Sequence, residues 1–261
     1  MPITLESWYN YPQYYDLLFR EDTQLEAGFV EAACKKYCAQ PAKRLLEPGC
    51  GTGRLVRELA ARGFDITGFD LGGAPLRYLR QCLQRRKLSA NLFQGDMADF
   101  EVDRPFDAAY CLINTFRHLL TEETAQCHLR AVARAIKPGG IYILGFHILP
   151  LDTDEECTER WTAQHGRTKV TGTLRVRATD RRRRIEDLRI SLLVRRDGKS
   201  DLRLRHDFPL RMYTADEFCR LLDSVPQFEV LDVYDFWYDI DEPLGLDDEI
   251  TDSVFILRKS L

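Results

Sequence analysis

The chain has 261 residues, 44% of them hydrophobic and 30% charged, enough for one substantial core and a smaller appendage. Lys and Arg number 37 against 41 Asp and Glu, a formal net charge of −4 that argues against a generic nucleic-acid binder. No apolar run approaches the ~20 residues that cross a bilayer, so no membrane role is expected. Met1, Pro2, Ile3 and Thr4 lack the basic and apolar stretches of a secretory leader. Eight cysteines are scattered, and the one close pair, Cys34 and Cys38, has no second pair at metal-ligand spacing. The expectation is a cytoplasmic protein with free thiols and no metal site.

In chain order, Trp8, Tyr9, Tyr11, Tyr14, Tyr15 and Phe19 crowd the N-terminal stretch, a density that points to docking. Helical spacing of Leu25, Phe29, Ala32 and Ala33 predicts a helix over 22–39, broken by Pro41. From 43 to 146 two periods alternate. Short apolar runs at 44–46, 66–69, 90–93, 108–112 and 141–146 read as buried strands. Amphipathic helices lie between most of them, marked by Leu55, Val56 and Leu59, by Leu76, Leu79 and Leu83, and by Leu129, Val132, Ala133 and Ile136. Strand–helix alternation predicts an α/β fold, a parallel sheet covered on both faces.

The period then changes. Val170, Gly172, Leu174 and Val176, then Leu188, Ile190, Leu192 and Val194, then Leu202, Leu204, His206 and Phe208 alternate with polar residues. With a hairpin signal at Asp197-Gly198 and a weaker turn at Asp180-Arg181, they predict a three-stranded antiparallel meander over 168–211. A helix from Thr214 to about Leu222 and strands at 228–234 and 253–257 follow. Charge is uneven: residues 165–213 carry a net +9, and 232–252 hold nine acids and no base.

The most informative stretch joins Glu47, Pro48, Gly49, Cys50, Gly51, Thr52 and Gly53. A strand ends in a carboxylate, a glycine-rich loop follows, and a helix begins. Glycines let a ligand approach the backbone, and the helix start offers unpaired N–H groups. Asp70 ends the second strand, where a carboxylate can accept both hydroxyls of a ribose. Asp96 and Met97 follow the third, suited to an adenine amino group and ring. Each acid alone could be a solvated loop residue; three strand-end acids beside one glycine loop form a pattern.

As a set these motifs resemble the class I S-adenosylmethionine (SAM)-dependent methyltransferases. The match extends to Phe106–Tyr110 and to Lys137-Pro138-Gly139-Gly140, and covers about 43–146. The resemblance implies a Rossmann-like seven-stranded sheet of order 3-2-1-4-5-7-6 with strand 7 antiparallel. It implies SAM as cofactor, held by Tyr15, Glu47, Gly49, Cys50, Gly51, Asp70, Leu71, Asp96, Met97 and Leu112. A dinucleotide oxidoreductase, the other reading of such a core, would prefer a G-x-G-x-x-G loop.

The N-terminal segment and the insertion after strand five look like a subgroup that methylates small molecules, amino-sugar N-methyltransferases included, with those parts as a lid. The expected organisation is a helical cap over 1–40, a SAM-binding core over 41–150 and 214–261, and a β lid or dimerisation segment over 151–213.

A sulfonium methyl is already activated, so alignment and exclusion of water carry most of the reaction. A base is needed only if the acceptor must lose a proton. His118 is the candidate base, with a structural histidine as the plainer reading. Tyr14, Arg117 and His147 are candidate substrate contacts. The expected partners are a small-molecule acceptor and a second copy through 168–211. The alternatives are an RNA or protein acceptor, or a SAM- or nucleotide-binding module without turnover.

Overall fold

The computed structural model describes residues 3–149, 157–246 and 250–260. Met1, Pro2, residues 150–156 at the start of the expected insertion, and Asp247, Asp248 and Glu249 of the acidic run lie outside the described residues.

Seven strands form the first sheet: β2 (Arg44–Pro48), β3 (Asp65–Asp70), β4 (Asn91–Gln94), β5 (Phe106–Cys111), β6 (Ile136–His147), β11 (Phe228–Tyr234) and β12 (Asp252–Lys259). Their order is β4-β3-β2-β5-β6-β12-β11, the expected 3-2-1-4-5-7-6. All neighbours are parallel except β12, which runs antiparallel to both β6 and β11. Successive residues of a strand serve opposite faces. Leu45, Ala108, Ile141 and Ile143 face α2 (Thr23–Tyr37), α3 (Arg54–Ala61) and α4 (Gly73–Arg86). Leu46, Ala109, Tyr142 and Leu144 face α5 (Glu122–Ala135) and α6 (Ala215–Asp223). Burial on both faces is why these strands read as apolar runs. Capping boxes at Thr121/Thr124 and Thr214/Glu217 fix where α5 and α6 begin.

The insertion is larger than the expected three strands. β7 (Thr158–His165), β8 (Thr168–Asp180), β9 (Ile185–Arg196) and β10 (Lys199–Arg211) form an antiparallel meander, and β1 (Thr4–Leu5) adds in parallel to β10. β7 escaped notice because only Trp161 and Ala163 among its residues are half-buried, so it has no apolar alternation. The expected hairpin at Asp197-Gly198 is present, with Gly198 at φ +71°.

The first forty residues divide between the sheets. Tyr14, Leu17 and Leu18 of α1 (Pro12–Leu18) pack on Val170, Ile190, Leu192 and Val194 of the second sheet, while α2 packs on the first. Asp16 of α1, almost fully buried, pairs with Arg57 of α3 and accepts from the Tyr78 hydroxyl of α4 at 3.0 Å. α1 therefore bridges the two sheets. A second bridge is the buried pair of Arg117 and Glu186 at 2.6 Å, and a third joins Arg184 and Arg211 to Glu122 at the start of α5. No helix among the described residues is long and apolar enough to cross a membrane.

Candidate active site

The glycine loop leaves β2 at Glu47 and enters α3 at Gly53. Gly49 has φ +66°, and a Cβ there would lie 2.5 Å from the Thr115 methyl, so only glycine lets the loop pack against the segment after β5. Gly51 has φ +51° and no neighbouring heavy atom within 4 Å of where its Cβ would be: the space above it is open. Cys50 takes part through its backbone, whose N–H donates to the Phe69 carbonyl at 2.9 Å. Its thiol is buried and packs near Gly68.

The Asp70 carboxylate accepts from the Gly51 N–H at 2.8 Å and from the Gly72 N–H at 2.7 Å. Those bonds fix it at the end of β3, and each oxygen keeps a lone pair for a further donor. Leu71 beside it is 69% exposed, an uncovered apolar side chain at the loop rim. Asp96 is exposed and accepts from the Ala98 N–H at 2.8 Å. Met97 is half-buried, with its sulfur 3.6 Å from the Cβ position of Gly49. The loop and the turn after β4 therefore meet. His128, fully buried in α5, anchors that turn by donating Nδ1–H to the Met97 carbonyl at 2.8 Å while its Nε2 accepts from the Tyr142 hydroxyl at 2.7 Å.

Behind the loop lies an excess of negative charge. Glu47 is buried, accepts from the Tyr110 hydroxyl at 3.0 Å, and has no ion pair among the described residues. Burial pushes its pKa up to about 8, against the opposing effects of Tyr110 and Arg54. Arg54 is itself paired to the fully buried Glu26 at 2.6 Å, whose second oxygen has no hydrogen-bond partner. Burial also raises Asp70, although the two backbone N–H groups hold it down.

A cleft of about 990 Å³ opens among the ends of β5 and β6, α1 and the second sheet. Tyr9, Tyr15, His118, His147, Trp161 and Phe208 are among its walls. Tyr9 and His118 share a hydrogen bond of 3.1 Å, and the His118 ring stacks on Phe208. His118 is open to the cleft but walled by protein on its other sides. That burial, with Arg117 and His206 adding, pushes its pKa down to about 4, so it is a neutral imidazole at neutral pH. Burial likewise raises Tyr15 to about 12, with Glu47, Asp70 and Glu26 close enough to add to the shift.

The remaining candidates fall into different places. Tyr14 is buried between α1 and the second sheet, stacked on Tyr11, and does not line the cleft. Leu112 is buried below Gly145, its carbonyl accepting from the Thr115 hydroxyl at 3.2 Å. Arg117 reaches the cleft wall, but its fork is spent on Glu186, on the Arg211 carbonyl at 2.7 Å and on the Asn114 side chain at 3.3 Å. It fixes the second sheet and has little left for a substrate carboxylate. His147 lines the cleft and is paired to Asp252.

Residues 45–140 match the family described as "Methyltransferase domain". The chain is 25% identical over 209 residues, 79% of each chain, to the dTDP-3-amino-3,6-dideoxy-alpha-D-glucopyranose N,N-dimethyltransferase of Streptomyces fradiae. It is 30% identical over 123 residues, 47% of each chain, to the dTDP-4-amino-2,3,4,6-tetradeoxy-D-glucose N,N-dimethyltransferase of Saccharopolyspora spinosa. The matched region spans about half the length of several such curated relatives. The crystal structure of a SAM-dependent methyltransferase from Clostridium acetobutylicum ATCC 824 shares the fold, with a TM-score of 0.79 at 18% identity over 97% of this chain and 99% of that one.

Residues 45–140 carry a methyltransferase domain. The site of this methyltransferase fits its cofactor on three observations. Space is open above Gly51, an apolar side chain stands uncovered at Leu71, and Glu26 and Glu47 face the one guanidinium of Arg54, with the Asp70 carboxylate close enough to raise Glu47 further. Trp8, Tyr9, Glu26 and His128 were missed as site residues in the sequence. His128 carried the only usable signal, a polar residue on the apolar face of the helix through Leu129 and Val132.

Proposed function

We propose that this methyltransferase transfers a methyl group from SAM to an amine of a small molecule of the amino-sugar kind. One observation carries the reading: an aromatic-walled cleft of about 990 Å³, a size suited to a small ligand, opens at Ile113 and Asn114, next to the Thr115 methyl on which Gly49 of the glycine loop packs. The printed activities of the Streptomyces and Saccharopolyspora relatives support the acceptor class. When bound, the cofactor supplies an activated methyl carbon. Gly49, Gly51 and the Cys50 backbone would form its bed, Asp70 would accept from the ribose, and Leu71, Asp96, Met97 and Leu112 are the residues that would hold the adenine. Glu47 and Tyr15 sit at its charged end.

His118 presents a neutral nitrogen to the cleft, while Tyr9 and Tyr15 exclude water. An RNA acceptor fits less well, because Glu21, Asp22 and Glu159 interrupt Arg20 and Arg160 in the cleft wall and leave no continuous basic track for a phosphate backbone.

The test is twofold. Calorimetry should show stoichiometric SAM binding, and labelled SAM should pass its methyl to dTDP-linked amino sugars. SAM binding without transfer to any amine offered would sink the catalytic reading and leave a binding module.

The free state of all eight cysteines supports a reducing compartment, as in the cytoplasm. Pairing of two copies through the second sheet is part of the same proposal, supported by the basic balance of 165–213 against the acidic 232–252. Sedimentation at micromolar concentration tests it; a monomer at low salt would overturn it.

A further inference from the structure

We propose that His147, oriented by Asp252, takes the proton from the methyl acceptor. The inference rests on the methyl-transfer reading above and assigns that reaction a base.

The pair is built by sheet register. His147 ends β6, Asp252 begins β12, and the two stand directly opposite in the antiparallel ladder. Nδ1 of His147 lies 2.7 Å from the Asp252 carboxylate. The His147 backbone N–H donates to the Asn114 side chain at 3.0 Å, and the ring packs on Phe236 at 5.1 Å. A carboxylate can only accept, so a neutral imidazole here carries its proton on Nδ1 and leaves Nε2 with a free lone pair. The ring lines the cleft, and Nε2 has no hydrogen-bond partner among the described residues.

The groups that face the pair come from several elements. Asp252 faces it from β12, together with the neutral hydroxyl of Tyr238. Arg117, from the segment after β5, is already matched by Glu186 of β9. His118, across the same cleft, has the opposite surroundings: no carboxylate partner, a shared bond to Tyr9, and Arg117 against its charged form. Of the two imidazoles His118 is the neutral wall and His147 the base.

In the transfer, the acceptor's proton moves to Nε2 and its lone pair forms the bond to the methyl carbon. The electron pair of the broken carbon–sulfur bond stays on sulfur as a neutral thioether. The charge left on His147 lies beside Asp252 until the proton leaves through the cleft mouth.

The chain has five histidines, few enough for long-range 15N NMR of each ring. In its neutral form His147 should show the Nδ1–H tautomer, and Asp252→Asn should lose it while Asp252→Glu keeps it. With a dTDP-linked amino sugar as probe, His147→Gln should lower kcat by ~10²–10⁴-fold with the calorimetric SAM affinity unchanged. Asp252→Asn should follow in kcat, and Asp252→Glu should recover most of it. An Nε2–H tautomer in the wild type, or an unaltered kcat in His147→Gln, overturns the proposal. Failure of the wild type to methylate any amine counts instead against the methyl-transfer reading, and the tautomer result then decides whether the pair is built as described.

Discussion

Where β2 and β3 end against α2, Glu26 and Glu47 share the single guanidinium of Arg54 with Asp70 close to Glu47, and one oxygen of Glu26 has no hydrogen-bond partner. In the second sheet the balance is reversed, and each acid that mounts it on the core is matched by arginine. Arg177 and Arg189 share Asp207, Arg195 reaches Asp201, and Arg117, Arg184 and Arg211 turn inward to Glu186 and Glu122. The difference separates two uses of polarity. Matched pairs specify where one sheet sits on another, whereas an unmatched buried cluster costs stability and is retained where a ligand completes it. The basic balance of the insertion is thus partly consumed in mounting it on the core.

That contrast is broken most sharply at the loop. Gly51→Val places a branched side chain in the open space at a positive φ, and SAM binding should fall below detection. Asp70→Ala should weaken binding by roughly 100-fold or more, because charge-assisted bonds are worth about 1.5–3 kcal/mol each. Calorimetry checks both. Wild-type affinity in either variant would remove that residue from the cofactor site.

Arg117→Ala tests the matched side. Both partners are buried, and removal of the arginine strands Glu186, so unfolding in urea should show a loss of about 3 kcal/mol. SAM affinity should change far less than in Asp70→Ala. A stability loss under 1 kcal/mol would mean that the second sheet is held by α1 and apolar packing.

Glu47 gives the contrast a pH signature. Its pKa is raised from 4.5 to about 8, so the folded protein holds a proton that the unfolded chain releases. Without ligand, this group's contribution to stability is complete below pH 4.5 and is lost as pH rises toward 8. A cationic ligand favours the ionised carboxylate, so SAM binding should release a proton and tighten over the same window. Glu47→Gln should flatten both slopes, as read by thermal unfolding and by calorimetry in buffers of different ionisation enthalpy. An unchanged pH dependence would place the Glu47 carboxylate outside the linkage.

The core was legible because its signals are local. Alternate residues of β5 and β6 serve two apolar faces, and Glu47 to Gly53, Asp70 and Asp96 each sit at a strand end that the period change marks. The second sheet was legible only where one face is covered: Val170, Ile190 and Leu204 gave β8, β9 and β10, while β7 and β1 showed no pattern. Partnerships across distance were not legible. Nothing near Arg117 points to Glu186, 69 residues away, and nothing near His147 points to Asp252; only the folded register joins them. Tyr14 and Tyr15 are adjacent in sequence, and only helix geometry decides that one is packed and the other faces the cleft.

The smallest effect expected is on the outer face of the second sheet. Asp207 accepts from Arg189 at 2.5 and 2.6 Å and from Arg177 at 2.9 Å, and these arginines hold its pKa down to about 2. By geometry it looks as firm as the pair of Arg117 and Glu186. It is 43% exposed, however, and water screens what burial would amplify. Asp207→Ala should therefore shift the urea midpoint only slightly at low salt, and the shift should vanish in molar salt. The loss from Arg117→Ala should persist there, since salt does not reach a buried pair. If Asp207→Ala were as damaging as Arg117→Ala in high salt, the division between matched surface charge and buried bridges would fail, and the arginine-rich face would have to be read as structural throughout.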